Sequence, residues 1–146
     1  MTTIVYDHKN KQVACDSRRT AERFIITDEA IKYIKNKDDL WFIAGTPDTA
    51  LTFVSHFKAM EEAHPLLDNN GIFVSDGSAY FAVVDDGAFC ELPLDCSFAT
   101  GSGENFAISA LDMGKSAKDA IEYAMTRDCC TGGKVHVYDI EKGEFI

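Results

Sequence analysis

Short β-rich runs open the chain at residues 3–7 and 11–15, joined through the polar, turn-prone stretch His8-Lys9-Asn10-Lys11. Two such runs with a polar connection predict a hairpin whose first strand begins at the second or third residue. Further runs fall at Phe24–Thr27 and Lys32–Ile34. Leu40–Ala44 is then a compact apolar segment ended by Gly45, which reads as a buried strand. Thr46-Pro47-Asp48 sets a hydroxyl at a helix N-cap, proline at the first helical position and an acid in the first turn. Ala50, Phe53, Val54, Phe57 and Met60 recur at helical spacing, so one long helix is predicted, stopping where His64 meets Pro65.

A loop at Asp68-Asn69-Asn70-Gly71 leads into a β-meander, Ile72–Val74, Ala79–Val84 and Phe89–Leu92, with turn signals at Asp76-Gly77 and Asp85-Asp86-Gly87. Phe98-Ala99-Thr100 and Gly101-Ser102-Gly103 precede a helical pattern through Phe106, Ala107, Ala110, Leu111 and Met113, ended by Gly114. A second helix starts at Ser116, with Asp119 approximating a capping box. Its face of Ala117, Ala120, Ile121 and Ala124 is narrow enough for close packing. Val135–Ile140 and Phe145-Ile146 return to strand around Glu141-Lys142-Gly143. Strands, one helix, strands, two helices and strands again predict an α+β fold, a sandwich of two antiparallel sheets between helical layers.

The length of 146 residues suits one domain spanning 1–146, and 46% hydrophobic with 26% charged residues is an ordinary globular balance. A net charge of −10 argues against a sequence-independent grip on nucleic acid or on an anionic membrane surface, both of which need positive charge. No apolar run approaches the length of a membrane span, and the N-terminus has no signal-like pattern, so a cytoplasmic location is expected. The five cysteines lack C-x-x-C spacing and are expected to be reduced and mostly buried, and the four histidines lie far apart. No metal or cofactor is expected.

Removal of Met1 would leave Thr2 with a hydroxyl and a free α-amine on one residue. Such an amine, with a reference pKa of ~7.7–8.0, has the right strength to take the hydroxyl proton near neutral pH. Taken singly, Thr2 is equally a strand-edge residue, Asp16 a turn residue, Lys32 a solvated charge and Arg19 a loop cation. Ser102 alone could be a helix cap, Asp128 a helix-end polar group, and Gly45 and Gly132-Gly133 positions of backbone freedom.

Together these residues resemble a family. Thr2-Thr3-Ile4-Val5 and Val13-Ala14-Cys15-Asp16-Ser17-Arg18-Arg19-Thr20 are similar to the opening of proteasome β-type subunits and of the related bacterial peptidase driven by a ring ATPase, both N-terminal nucleophile (Ntn) hydrolases. The resemblance continues through Ala30-Ile31-Lys32-Tyr33-Ile34, Ile43-Ala44-Gly45-Thr46, Gly101-Ser102-Gly103 and Arg127-Asp128-Cys129-Cys130-Thr131-Gly132-Gly133. It implies a four-layer α-β-β-α fold and a threonine-type endopeptidase. Thr2 would be the nucleophile, Lys32 a fixed cation held by Asp16, Gly45 the oxyanion donor, and Ser102, Asp128 and Thr131 would orient the amine.

By the same resemblance, the backbones of Thr20 and Pro47 would pair with an extended polypeptide substrate, and Arg19, Ala30, Ile34, Ile43 and Leu51 would line the pocket before the scissile bond. A homo-oligomer and an ATPase unfoldase partner are implied. The family places two helices between the positions of Gly45 and Gly101, whereas the pattern here supports one, so one helix is missing from the first helical layer and the usual double ring is not expected. Thr131 stands for the family's serine. Two other readings remain: an Ntn amidase acting on a small amide, and a catalytically silent interaction protein.

Overall fold

The computed structural model describes residues 1–146. Its elements run β1 (Thr3–Asp7), β2 (Gln12–Cys15), β3 (Arg19–Ala21), β4 (Phe24–Thr27), β5 (Tyr33–Asn36), β6 (Asp39–Ala44), α1 (Pro47–His56), β7 (Asn70–Ser75), β8 (Ser78–Asp85), β9 (Ala88–Pro93), β10 (Phe98–Gly101), α2 (Glu104–Asp112), α3 (Ala117–Met125), β11 (His136–Asp139) and β12 (Glu144–Phe145). Two five-stranded antiparallel sheets carry the order β10-β1-β2-β11-β12 and β5-β6-β7-β8-β9, and β3 and β4 form a separate hairpin. No helix is long and apolar enough to cross a membrane.

Strand alternation explains how the sheets stack, since successive side chains leave a strand on opposite faces. Ile4, Tyr6, Val13 and Cys15 of the first sheet meet Phe42, Ala44, Ile72 and Val74 of the second. The intervening Val5 and Ala14 point the other way, onto Ala107, Ala110, Ala120, Ile121 and Ala124 of α2 and α3. Trp41, Ile43 and Phe73 leave the far face of the second sheet for Phe53 and Val54 of α1. The alanine-rich faces of α2 and α3 let both helices lie close over β1, whose N-terminal end emerges between the layers.

Four local readings are corrected. The helix after Gly45 ends at His56, because Phe57 turns extended (ψ 120°) and Met60 takes φ 72°. Residues 60–63 instead run along β9: Met60 N–H donates to Phe89 O at 2.8 Å, Phe89 N–H to Glu61 O at 2.9 Å and Ala63 N–H to Gly87 O at 2.9 Å. Phe57 still packs on Trp41 and Phe89, so the apolar spacing holds, but the unpaired C=O and N–H groups along the edge strand capture the backbone that follows. Thr46 stands at the N-cap of α1 as expected, but its hydroxyl makes no capping bond and donates instead to Asp68 Oδ2 at 2.8 Å. Ser102 caps nothing either; the N-cap of α2 is Gly103. Of the cysteines only Cys15 is buried, while Cys96 and Cys129 are exposed and Cys90 and Cys130 half-buried.

Candidate active site

Thr2 sits immediately before β1 and is 5% exposed. Its carbonyl accepts the Ser102 N–H at 2.9 Å, where β10 crosses it in the register Thr3↔Gly101. Gly101 has φ 106°, and a Cβ there would lie 1.7 Å from Thr2 O, so only glycine allows this crossing.

Asp16 follows the end of β2 and is fully buried. Its Oδ1 accepts the Thr3 N–H at 3.1 Å and Lys32 Nζ at 3.0 Å. Its Oδ2 accepts the N–H groups of Arg18 at 3.3 Å and Gly132 at 3.0 Å. The carboxylate thus ties β1, the residues entering β5 and the loop after α3 to one point. Lys32 Nζ also donates to Met1 O at 2.8 Å and to Arg18 O, which occupies all three ammonium protons. Burial pushes the Lys32 ammonium below its ordinary value against the opposing pull of Asp16, and Arg19 adds to the lowering.

A second polar cluster reaches the Thr2-Thr3 segment through Ser102 and Thr131. Asp128 Oδ2 accepts the hydroxyls of Ser102 and Thr131, each at 2.6 Å. Thr131 Oγ1 is 2.6 Å from Thr3 Oγ1, which accepts the Gly103 N–H at 2.9 Å. Burial raises the Asp128 carboxyl, but the two hydroxyls, the Cys130 N–H and the N-terminal ammonium outweigh it and hold the group below the usual carboxylate value.

Thr2, Lys32 and Gly45 line one cleft of about 140 Å³ together with Arg19, Ile34, Ile43, Pro47 and Leu51. Met1, Ile31 and Ala50 complete its wall, while Thr20 and Ala30 do not reach it. Ala30 is instead buried with its N–H on Ser17 O at 2.9 Å. One step along the chain, Ile31 does line the cleft. Thr20 lies in β3, opposite Ile25.

Gly45 takes φ 101°, and no backbone acceptor holds its N–H. Two residues that the sequence shows only as loop keep this turn in place. Asn69, 1% exposed, donates from Nδ2 to Ala44 O at 3.2 Å and to Thr46 O at 3.0 Å, and accepts from the Thr49 hydroxyl at 2.7 Å. Asp68 accepts both the N–H and the hydroxyl of Thr46. The two-residue polar step before a strand was their only signal. The sequence likewise gives Arg18 no role of its own, yet it pairs with both carboxylate oxygens of Asp28 at 2.7 and 3.0 Å and donates to Cys129 O at 3.1 Å.

The arrangement places a hydroxyl-bearing residue, a buried cation and an unpaired N–H around one cavity, with a carboxylate–hydroxyl network behind. No protein-family model and no curated protein sequence matches the chain. Solved structures do. The BPH protein of Thiobacillus denitrificans in complex with epoxomicin superposes with a TM-score of 0.71 at 12% identity, over 94% of this chain and 97% of that one. A second structure of Thiobacillus denitrificans BPH gives 0.69 at 14% identity, over 94% and 95%. At such identities the likeness is one of fold.

Proposed function

We propose that this chain is an N-terminal nucleophile hydrolase, a threonine-type endopeptidase of the proteasome β-subunit class that cleaves peptide bonds with Thr2 once the Met1–Thr2 bond has been cut. The observation that carries the reading is the convergence of Thr2, Lys32 and the Gly45 N–H on one cleft, with Asp16 fixing Lys32 from behind. The fold shared with a protein solved in complex with epoxomicin supports it.

Loss of Met1 frees the Thr2 amine beside the network of Ser102, Asp128 and Thr131. It also removes the Met1 carbonyl that Lys32 Nζ now holds at 2.8 Å, leaving one ammonium proton for the Thr2 hydroxyl. The amine takes the hydroxyl proton, directly or through water, and Thr2 Oγ adds to the substrate carbonyl. Lys32 favours the deprotonated oxygen by its charge, and the Gly45 N–H stabilises the oxyanion. Collapse expels the new amine terminus, which leaves with the proton held by the Thr2 amine, and water then cleaves the ester on Thr2. Thr20 and the Pro47 backbone would hold the substrate as an added strand, with one side chain in the cleft between Arg19, Ile34, Ile43 and Leu51. Residues 1–146 act as one domain in this reading, inside a homo-oligomer that restricts access to unfolded polypeptide, an ATPase unfoldase being the matching partner.

Epoxomicin is a peptide epoxyketone, whose ring-forming reaction consumes both an amine and an adjacent hydroxyl. Intact mass after exposure should show a chain without Met1 that carries one adduct, with the adduct lost in Thr2→Ala. A chain without Met1 that stays unmodified at saturating probe, or a Thr2→Ala variant that still cleaves peptides, overturns the proposal.

A further inference from the structure

Residues 128–130 leave α3 in a turn whose backbone is fixed at several points. Asp128 N–H donates to Ala124 O at 2.8 Å and Thr131 N–H to Asp128 O at 3.1 Å. Cys129 O accepts from Arg18 Nη1 at 3.1 Å, and Cys130 N–H donates to Asp128 Oδ1 at 3.1 Å. Adjacent side chains diverge along a strand, but this turn brings two consecutive thiols to the same side as a carboxylate. One carboxylate oxygen of Asp128 and the sulfurs of Cys129 and Cys130 lie within 4.8 Å of one another. Cys129 is exposed and the other two half-buried, so the trio opens to solvent.

A tetrahedral zinc-type ion holds thiolates at about 2.3 Å and carboxylate oxygens at about 2.0–2.2 Å, which sets the donor atoms about 3.4–3.8 Å apart. The three donors therefore need to close by little more than about 1 Å, within the reach of side-chain rotation. Soft sulfur ligands select zinc-class ions over magnesium or calcium, and three protein donors leave a fourth position for water. Asp128 Oδ2 is engaged by two hydroxyls, whereas Oδ1 accepts one backbone N–H and has capacity to spare.

We propose that Asp128, Cys129 and Cys130 form a binding site for one thiophilic divalent cation of the zinc class. Binding makes two metal–sulfur bonds and one metal–oxygen bond, releases two thiol protons to solvent and transfers no electrons. The site shares Asp128 with the network beside the Thr2 amine, but its two thiols and its cadmium readout do not pass through Thr2, so it is tested apart from the peptidase reading.

The test titrates reduced protein with Cd²⁺ under argon and follows the near-ultraviolet cadmium–thiolate absorption. One equivalent should saturate the signal. Cys129→Ser and Cys130→Ser should each weaken binding by at least about 10–100-fold, the loss that removing even an outer-shell partner brings. Cys96→Ser, which removes an exposed thiol elsewhere, should leave the titration unchanged. In the unaltered protein, one equivalent of Zn²⁺ should shield two thiols from alkylation, mapped by peptide mass to Cys129 and Cys130. Absence of the band at stoichiometric Cd²⁺, an unchanged titration in both serine variants, or shielding of other cysteines overturns the proposal.

Discussion

Asp16 Oδ1 lies 3.0 Å from Lys32 Nζ, with the two side chains 0% and 3% exposed. Two charges so buried are tolerable only as a pair, and this pair is further satisfied by backbone N–H groups on the acid and carbonyls on the base. Asp16→Asn removes the compensation and leaves an ammonium in the interior. The expected loss is about 3–5 kcal/mol of unfolding free energy, read by urea denaturation. Adding Lys32→Met to that variant should restore much of the stability and none of the epoxyketone reactivity.

Burial lowers the Lys32 ammonium from its ordinary 10.5. Under the proposed chemistry, the rate of adduct formation should fall on the alkaline side at a pH below 10.5. Stability should move oppositely: the unfolded chain binds this proton more tightly, so the contribution improves as pH rises from the lowered value to 10.5. A rate profile that stays flat through 10.5 would count against a role for the ammonium.

His136 on β11 has its Nδ1 enclosed without a hydrogen-bond partner and its ring edge-on to Tyr33 at 5.4 Å. Burial, aided by Lys134, lowers it from its usual 6.5 despite Asp16. A histidine kept neutral by the fold contributes fully above 6.5, and its contribution is lost as pH falls from there toward the lowered value. The urea midpoint should therefore drop on acidification below 6.5, and His136→Phe should flatten that part of the profile.

Thr3 has the same side chain as Thr2 but points into the protein, where its oxygen joins Thr131 and the Gly103 N–H. Thr3→Val keeps the shape and strands the Gly103 N–H, while the Thr131 hydroxyl keeps its bond to Asp128. A loss of about 1–3 kcal/mol is expected in thermal or urea unfolding, the cost of an unsatisfied buried polar group.

Asn69→Ala should release the turn that presents the Gly45 N–H. The expected result is adduct formation slowed by about 10-fold, short of the 10²–10³ that follows outright removal of an oxyanion donor. An unchanged rate in a folded variant would show that Asn69 serves stability alone.

Periodicity and turn chemistry determined most of the elements, because alternation and the 3.6-residue repeat record which faces are buried. Ile4, Val5, Phe42, Phe53 and Ala120 are core residues by that logic, and the structure buries all of them. The resemblance of the motifs around Thr2, Asp16, Lys32 and Gly45 to a known family named a candidate set. What tertiary structure alone decided is where chain segments far apart in sequence meet. The edge of β9, claimed by residues 60–63, ended the first helix early. Ile31 rather than Ala30 reached the cleft, and Asn69 became the clamp on Gly45. A local pattern reports the propensity of its own residues, whereas a hydrogen bond between residues 3 and 131, or between 16 and 132, is chosen by the packing of layers that no short window contains.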